Sequence, residues 1–210
     1  MRGFTPEYYE TLTGLIGNLE EQTTAELVVE VRPCSGNYRD VDQLVGAGLA
    51  LGGLGFLLFN PWEHAEWAVL LDVALLFLMG SWLGGAVPSF RRLAPARRRE
   101  RQVREAAEGA FCRERVSQTR ARTGVLIYVS LLEQRVEVLP DSGVTAAVSS
   151  EAWNEALQGL RRIWDQPSPA QALLDGLGTF GKVLATALPP HADNPDELPN
   201  RPRGARKDEH

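Results

Sequence analysis

Cysteine and histidine are scarce in this chain. Only Cys34 and Cys112 are present, with no CxxC and no neighbouring histidine. A zinc site and a disulfide framework are therefore both excluded as organising elements. The three histidines, His64, His191 and His210, fall in a loop and in the tail, where none is placed to serve a nucleophile as base. The N-terminal MRGFTPEYYE has no apolar core, so no cleavable signal peptide is expected. Long stretches without any charge, in contrast, are abundant.

Residues 44–59 contain no charged or polar side chain, and residues 67–87 are polar only at Asp72 and Ser81. A helix crossing the hydrocarbon of a bilayer needs roughly 20 apolar residues. The two runs, joined by seven residues that include Trp62, Glu63 and Glu66, are expected to form a two-helix transmembrane hairpin, with Trp62, Trp67 and Trp82 suited to interfacial positions. Gly48 with Gly52, and Gly80 with Gly84, repeat at GxxxG spacing and are expected to support close helix packing within the hairpin or between copies of it.

The net charge of −5 hides a strong asymmetry. Residues 91–122 hold eleven arginines against four glutamates, a net of +7, so the remainder carries −12. Seven of these arginines, Arg91, Arg92, Arg97, Arg98, Arg99, Arg101 and Arg104, directly follow the second span, while the loop between the spans has no Lys or Arg. Positive charge stays cytoplasmic, so the expected topology has two spans in the cytoplasmic membrane with both termini inside. The arginines would meet lipid headgroups and fix that topology. A nucleic-acid role is disfavoured, since the basic stretch lacks interleaved aromatics and abuts a span.

The flanks read as one soluble domain split in two. Thr5-Pro6 suits a helix start, followed by Leu12, Leu15, Ile16 and Leu19 at helical spacing. In AELVVEV, Leu27, Val29 and Val31 alternate with Glu26 and Glu30, as in a strand with one solvated face. Beyond the hairpin, residues 97–122 read as a long charged helix with a thin stripe of Val103, Ala106, Ala107, Ala110 and Phe111. GVLIYVSLL then suggests a central strand covered on both faces. A turn at Glu133-Gln134 leads to the alternating strand RVEVLP, and helices follow with Trp153, Ala156, Leu157, Leu160, Trp164 and with Leu173, Leu177, Phe180, Leu184. Pairing AELVVEV with GVLIYVS closes one sheet around the insertion. The expected fold is α/β, a small mixed sheet flanked by helices. Its parts are residues 1–42, the hairpin at 43–90, residues 91–188, and a disordered tail at 189–210.

Three segments, Thr24 to Val29 (TAELVV), Thr123 to Ser130 (TGVLIYVS) and Arg135 to Val138 (RVEV), occur in an order that resembles the TPM domain family. That family is known from thylakoid-lumen, bacterial-envelope and receptor-associated proteins. The resemblance covers roughly residues 4–188 apart from the hairpin. It implies a compact α/β domain, and a role either as an assembly or accessory factor for membrane complexes or as a weak acid phosphatase or calcium binder. The internal hairpin departs from the terminal anchor usual in that family.

The chemistry in the domain is thin. GLGTFGKV nearly spells a phosphate-binding loop, but Val183 stands where a hydroxyl would hold Mg²⁺, and its glycines sit in a helical pattern. Ser130, Ser149 and Ser150 have no partner nearby in sequence. Asp141, in LPDSGV, is the one candidate ligand for Ca²⁺ or Mg²⁺, with Asp40 and Asp42 as conceivable partners; its other reading is a turn-former. No other cofactor is expected. The sequence thus favours a non-enzymatic membrane protein that binds a partner or assists assembly. Its alternatives are a metal-dependent phosphatase and a small oligomeric pore or receptor subunit.

Overall fold

The computed structural model describes residues 3–60, 65–191, 197–200 and 202. They divide into two compact units, Gly36–Arg99 and the remainder.

The larger unit is built on three strands, β1 (Glu26–Arg32), β2 (Gly124–Ser130) and β3 (Arg135–Pro140), in the order β1-β2-β3. β1 lies parallel to β2, with Glu26 opposite Gly124 and Arg32 opposite Ser130. β3 runs antiparallel to β2, with Ile127 opposite Val138. The central position of GVLIYVS explains its unbroken apolar run: all seven residues of β2 are buried.

One sheet face presents Leu27, Val29, Val31, Val125, Ile127 and Val129 to three helices. These are α1 (Pro6–Glu20) and two helices that follow β3, over Ser150–Arg161 and Pro169–Ala187. Thr5 caps α1, its hydroxyl accepting from the Tyr8 N–H at 3.3 Å, and Pro6 occupies the first turn where its missing N–H costs nothing. Leu12 and Ile16 are fully buried on the inner stripe of α1. The opposite sheet face carries Val28, Leu126 and Tyr128. It is covered by a helix over Ala96–Arg113, through Val103, Ala107 and Ala110, and by Leu198 from near the C-terminus.

The smaller unit holds α2 (Arg39–Phe59) and α3 (Glu66–Ala86), followed by the one-turn helix α4 (Pro88–Arg91). The helix over Ala96–Arg113 is α5. After β3 come α6 (Ser142–Ala147), α7 (Ser150–Arg161) and α8 (Pro169–Ala187), of which α7 and α8 complete the first layer.

Several expectations change. β1 is buried on both faces, Glu26 and Glu30 included, because each carboxylate finds an internal partner. α5 ends at Arg113 rather than near residue 122: the chain passes through left-handed backbone at Arg115 (φ 56°) and Arg122 (φ 58°). Leu198, in a segment expected to be part of a disordered tail, instead packs into the cluster on the sheet. The Leu198 N–H donates to Glu26 at 3.2 Å, and the Arg120 N–H donates to Glu197 at 2.8 Å. α2 begins five residues before the apolar run, at Arg39, with Asp40 and Asp42 in its first turn, where carboxylates suit the helix dipole.

Candidate functional site

α2 and α3 are each 21 residues long and apolar enough to cross a membrane. They pack antiparallel, since added Cβ atoms would bring Gly84 against Asp42, Gly80 against Gly46, and Gly53 against Leu76. At Gly80 and Gly84 the approach is so close that a Cβ would lie 2.8 Å from a Cα of α2. These two glycines therefore sit at the crossing, as their spacing suggests. Gly48 and Gly52 do not, for nothing lies within 4 Å of a Cβ at either. Gly46 and Gly53, one heptad apart, take that role on α2. A residue two positions from Gly46 is rotated about 200° around the helix, away from α3.

The outer surface of this hairpin is apolar and uncovered. Leu51, Phe56, Leu58, Trp67, Leu70, Leu78 and Trp82 are all exposed. Only 22% of the apolar window of α2 and 11% of that of α3 is buried.

Polar contacts close the base of the hairpin. The Arg91 guanidinium donates to both Asp42 oxygens, at 3.3 and 3.1 Å. Arg98 pairs with Asp40, donates to the Asn37 carbonyl at 3.0 Å, and lies over the Tyr38 ring at 5.8 Å. Arg101 and Arg104 pair with Glu105 and Glu108 one turn further along α5. Arg92, Arg97 and Arg99 form no ion pair among the described residues. The seven arginines that read alike in sequence thus differ: two brace the hairpin base, two pair along α5, and Arg92, Arg97 and Arg99 do neither.

A buried polar cluster gathers at the carboxyl ends of β1 and β2, where ligand sites form in open α/β sheets. Glu133, almost wholly buried, accepts from the Ser130 hydroxyl, from the Ser35 N–H at 3.1 Å, and from the Cys34 thiol at 3.6 Å. The Ser35 hydroxyl donates to Ser130 at 2.6 Å and lies 3.1 Å from the Tyr128 hydroxyl. Burial pushes the Tyr128 phenol up; the Ser35 hydrogen bond opposes this, Glu30 adds to it, Arg32 opposes it and Glu133 adds to it. Fully buried Glu30 is held by Arg113 at 2.8 and 3.0 Å, and by Arg32. Burying such carboxylates demands these partners. The cluster anchors residues 33–35, where the chain leaves the sheet. Ser130, expected to have no partner nearby in sequence, therefore has two partners: Glu133, three positions on, and Ser35, 95 positions away. Glu133 is the centre that the sequence hides: it reads there as a turn residue.

Asp141 is not the focus of a carboxylate cluster. It caps α6, accepting from the Ser142 N–H at 2.7 Å, and pairs with Arg122 at 2.9 Å. Asp40 and Asp42 belong to the other unit, each with its own arginine. No group of three or more His, Cys, Asp or Glu among the described residues is arranged to hold a metal. Ser149 caps α7 through the Ala152 N–H, and Ser150 begins that helix. GLGTFGKV lies inside α8, where Gly176 approaches Leu160 and Gly181 approaches Leu19. His64, His210 and the loop tryptophan Trp62 lie outside the described residues.

No family model matches this chain, and no curated protein does. Among solved structures it is similar to the NMR structure of the BA42 protein from the psychrophilic bacterium Bizionia argentinensis. The likeness has a TM-score of 0.58 at 19% identity, covering 95% of this chain and 93% of that one. At that identity the similarity shows a shared fold and nothing of function.

Proposed function

We propose that the chain is an integral membrane protein whose α2–α3 hairpin crosses the cytoplasmic membrane twice. Its TPM-like α/β domain would be held at the inner surface, where it binds a protein partner or assists a membrane complex. The observation that carries this reading is the uncovered apolar surface of the hairpin. A hairpin in the core of a soluble protein is mostly covered by its neighbours, whereas α2 and α3 present leucine, phenylalanine and tryptophan outward along their length. The arginines after α3 and their absence between the spans support an inward-facing domain. A metal-dependent phosphatase centred on Asp141 draws no support from a carboxylate engaged as a helix cap and ion-pair partner.

The test is extraction and thiol labelling. The protein should stay with membranes through alkaline carbonate washing and leave them only with detergent. Cys112 is exposed and Cys34 partly so. In intact cells neither should react with a membrane-impermeant maleimide; after lysis Cys112 should react first. Release by carbonate would reject the spans, and labelling before lysis would reverse the topology.

A further inference from the structure

Asp72 lies on the outer surface of α3, exposed, with no ion pair or hydrogen bond to any described residue. It borders a groove between α2 and α3 lined by Gly53, Phe56, Leu57, Leu75, Leu76 and Met79. The Leu76 side chain packs directly over Gly53, so the groove is lined by apolar side chains beside the Asp72 carboxylate. The chain has no Lys or Arg between Arg39 and Arg91, so neither span can supply a cation to this carboxylate. Asp72 stands six residues beyond Glu66, the first residue of α3, which is about 9 Å along the axis. That depth lies below the first helical turn. An ionisable side chain inside a span is costly unless it pairs, faces water or faces another protein.

We infer that the Asp72 groove is a docking surface for a membrane-spanning helix of another protein, one that carries a Lys or Arg in the outer third of its span. Charge selects this occupant. A second copy of the chain would bring a second carboxylate and no cation, while a wholly apolar helix would leave Asp72 unpaired in hydrocarbon. The incoming cation would sit against Asp72, and its aliphatic stem would lie between Phe56, Leu75 and Met79, as long basic side chains do when they bury their stems and not their charge. The inference rests on the membrane reading above.

The experiment reconstitutes the full-length protein into phosphatidylcholine vesicles with a synthetic leucine–alanine transmembrane helix. That helix carries a single Lys about 9 Å below its outer end. A fluorescent donor on Cys112 and an acceptor on the helix report association. Carbonate washing of the vesicles comes first: release of the protein would defeat the membrane reading, and the docking inference with it. With the protein retained, the Lys helix should associate at least tenfold more tightly than the same helix with Leu in place of Lys. Asp72→Leu should abolish that preference, and Asp72→Lys should transfer it to a helix bearing Asp. Equal association of the Lys and Leu helices with the retained wild type would overturn the inference while leaving the membrane reading intact. Self-association that depends on Asp72, with no preference for the Lys helix, would overturn it in favour of a second copy.

Discussion

Glu137 is the clearest case of a single side chain under opposing demands. It stands on β3 opposite Tyr128, half-buried, and that burial raises its pKa above the ordinary 4.5. Arg161, Arg104 and Arg135 pull it back, and Glu100 adds to the rise. Because the folded-state value is raised, the folded protein holds this proton more tightly than the unfolded chain does. Stability from this group is therefore present at low pH and is lost as pH rises from about 4.5 through the raised folded value. Glu137→Gln removes the charge without removing the shape. Thermal unfolding of the detergent-solubilised protein should show a gain of about 2 °C at pH 7 and none at pH 4. A loss at pH 7 would mean that the arginines outweigh burial. Other single residues are legible only in space. Glu133 follows an apolar run and reads as a turn, and nothing nearby in sequence tells that Cys34 and Ser35, almost a hundred positions away, join Ser130 on it.

Among the elements, the hairpin separates glycines that look alike in sequence. A valine at Gly80 or Gly84 would drive its Cβ into the backbone of Gly46 or Asp42, and backbone cannot rotate aside. Each substitution should cost roughly 1–3 kcal/mol of hairpin stability, the ordinary penalty of overpacking. Gly48→Ala and Gly52→Ala meet open space and should cost nothing, or add up to about 1 kcal/mol through helix propensity. Unfolding in mixed detergent micelles, followed by the fluorescence of Trp67 and Trp82, measures both. Equal effects at all four positions would mean that the glycines act in some way other than through the α2–α3 contact. Most elements themselves are readable beforehand. Thr5-Pro6 announces α1, GVLIYVS announces a central strand, and the two long apolar runs announce α2 and α3. Less readable are α6, hidden because Asp141-Ser142-Gly143 has turn chemistry, and the burial of Leu198, whose segment has the composition of a disordered tail. Both are decided by tertiary partners, Arg122 for the first and Glu26 for the second, which local composition does not encode.

At the scale of the whole molecule, the question is what the insertion interrupts. Parallel strands cannot be joined by a tight turn and need a crossover, usually a helix. β1 and β2 are such a pair, and α5, lying across the Val28–Leu126–Tyr128 face, is the crossover helix. The hairpin enters that connection just before α5, at the point fixed by Glu133 and the residues around Ser35. The sheet and both apolar clusters are contained in the larger unit, which ends at Ser35 and resumes at Glu100. The hairpin therefore contributes no part of the core of the domain. Replacing residues 36–99 by a flexible linker of about twelve residues, with a root-mean-square reach of roughly 19 Å, should leave the crossover able to close. The shortened protein should be recovered without detergent, keep the far-UV signature of its remaining helices and strands, and unfold in one cooperative transition. A product that aggregates, or that melts without cooperativity, would show that α2 and α3 are part of the fold of the domain and not an insertion into it.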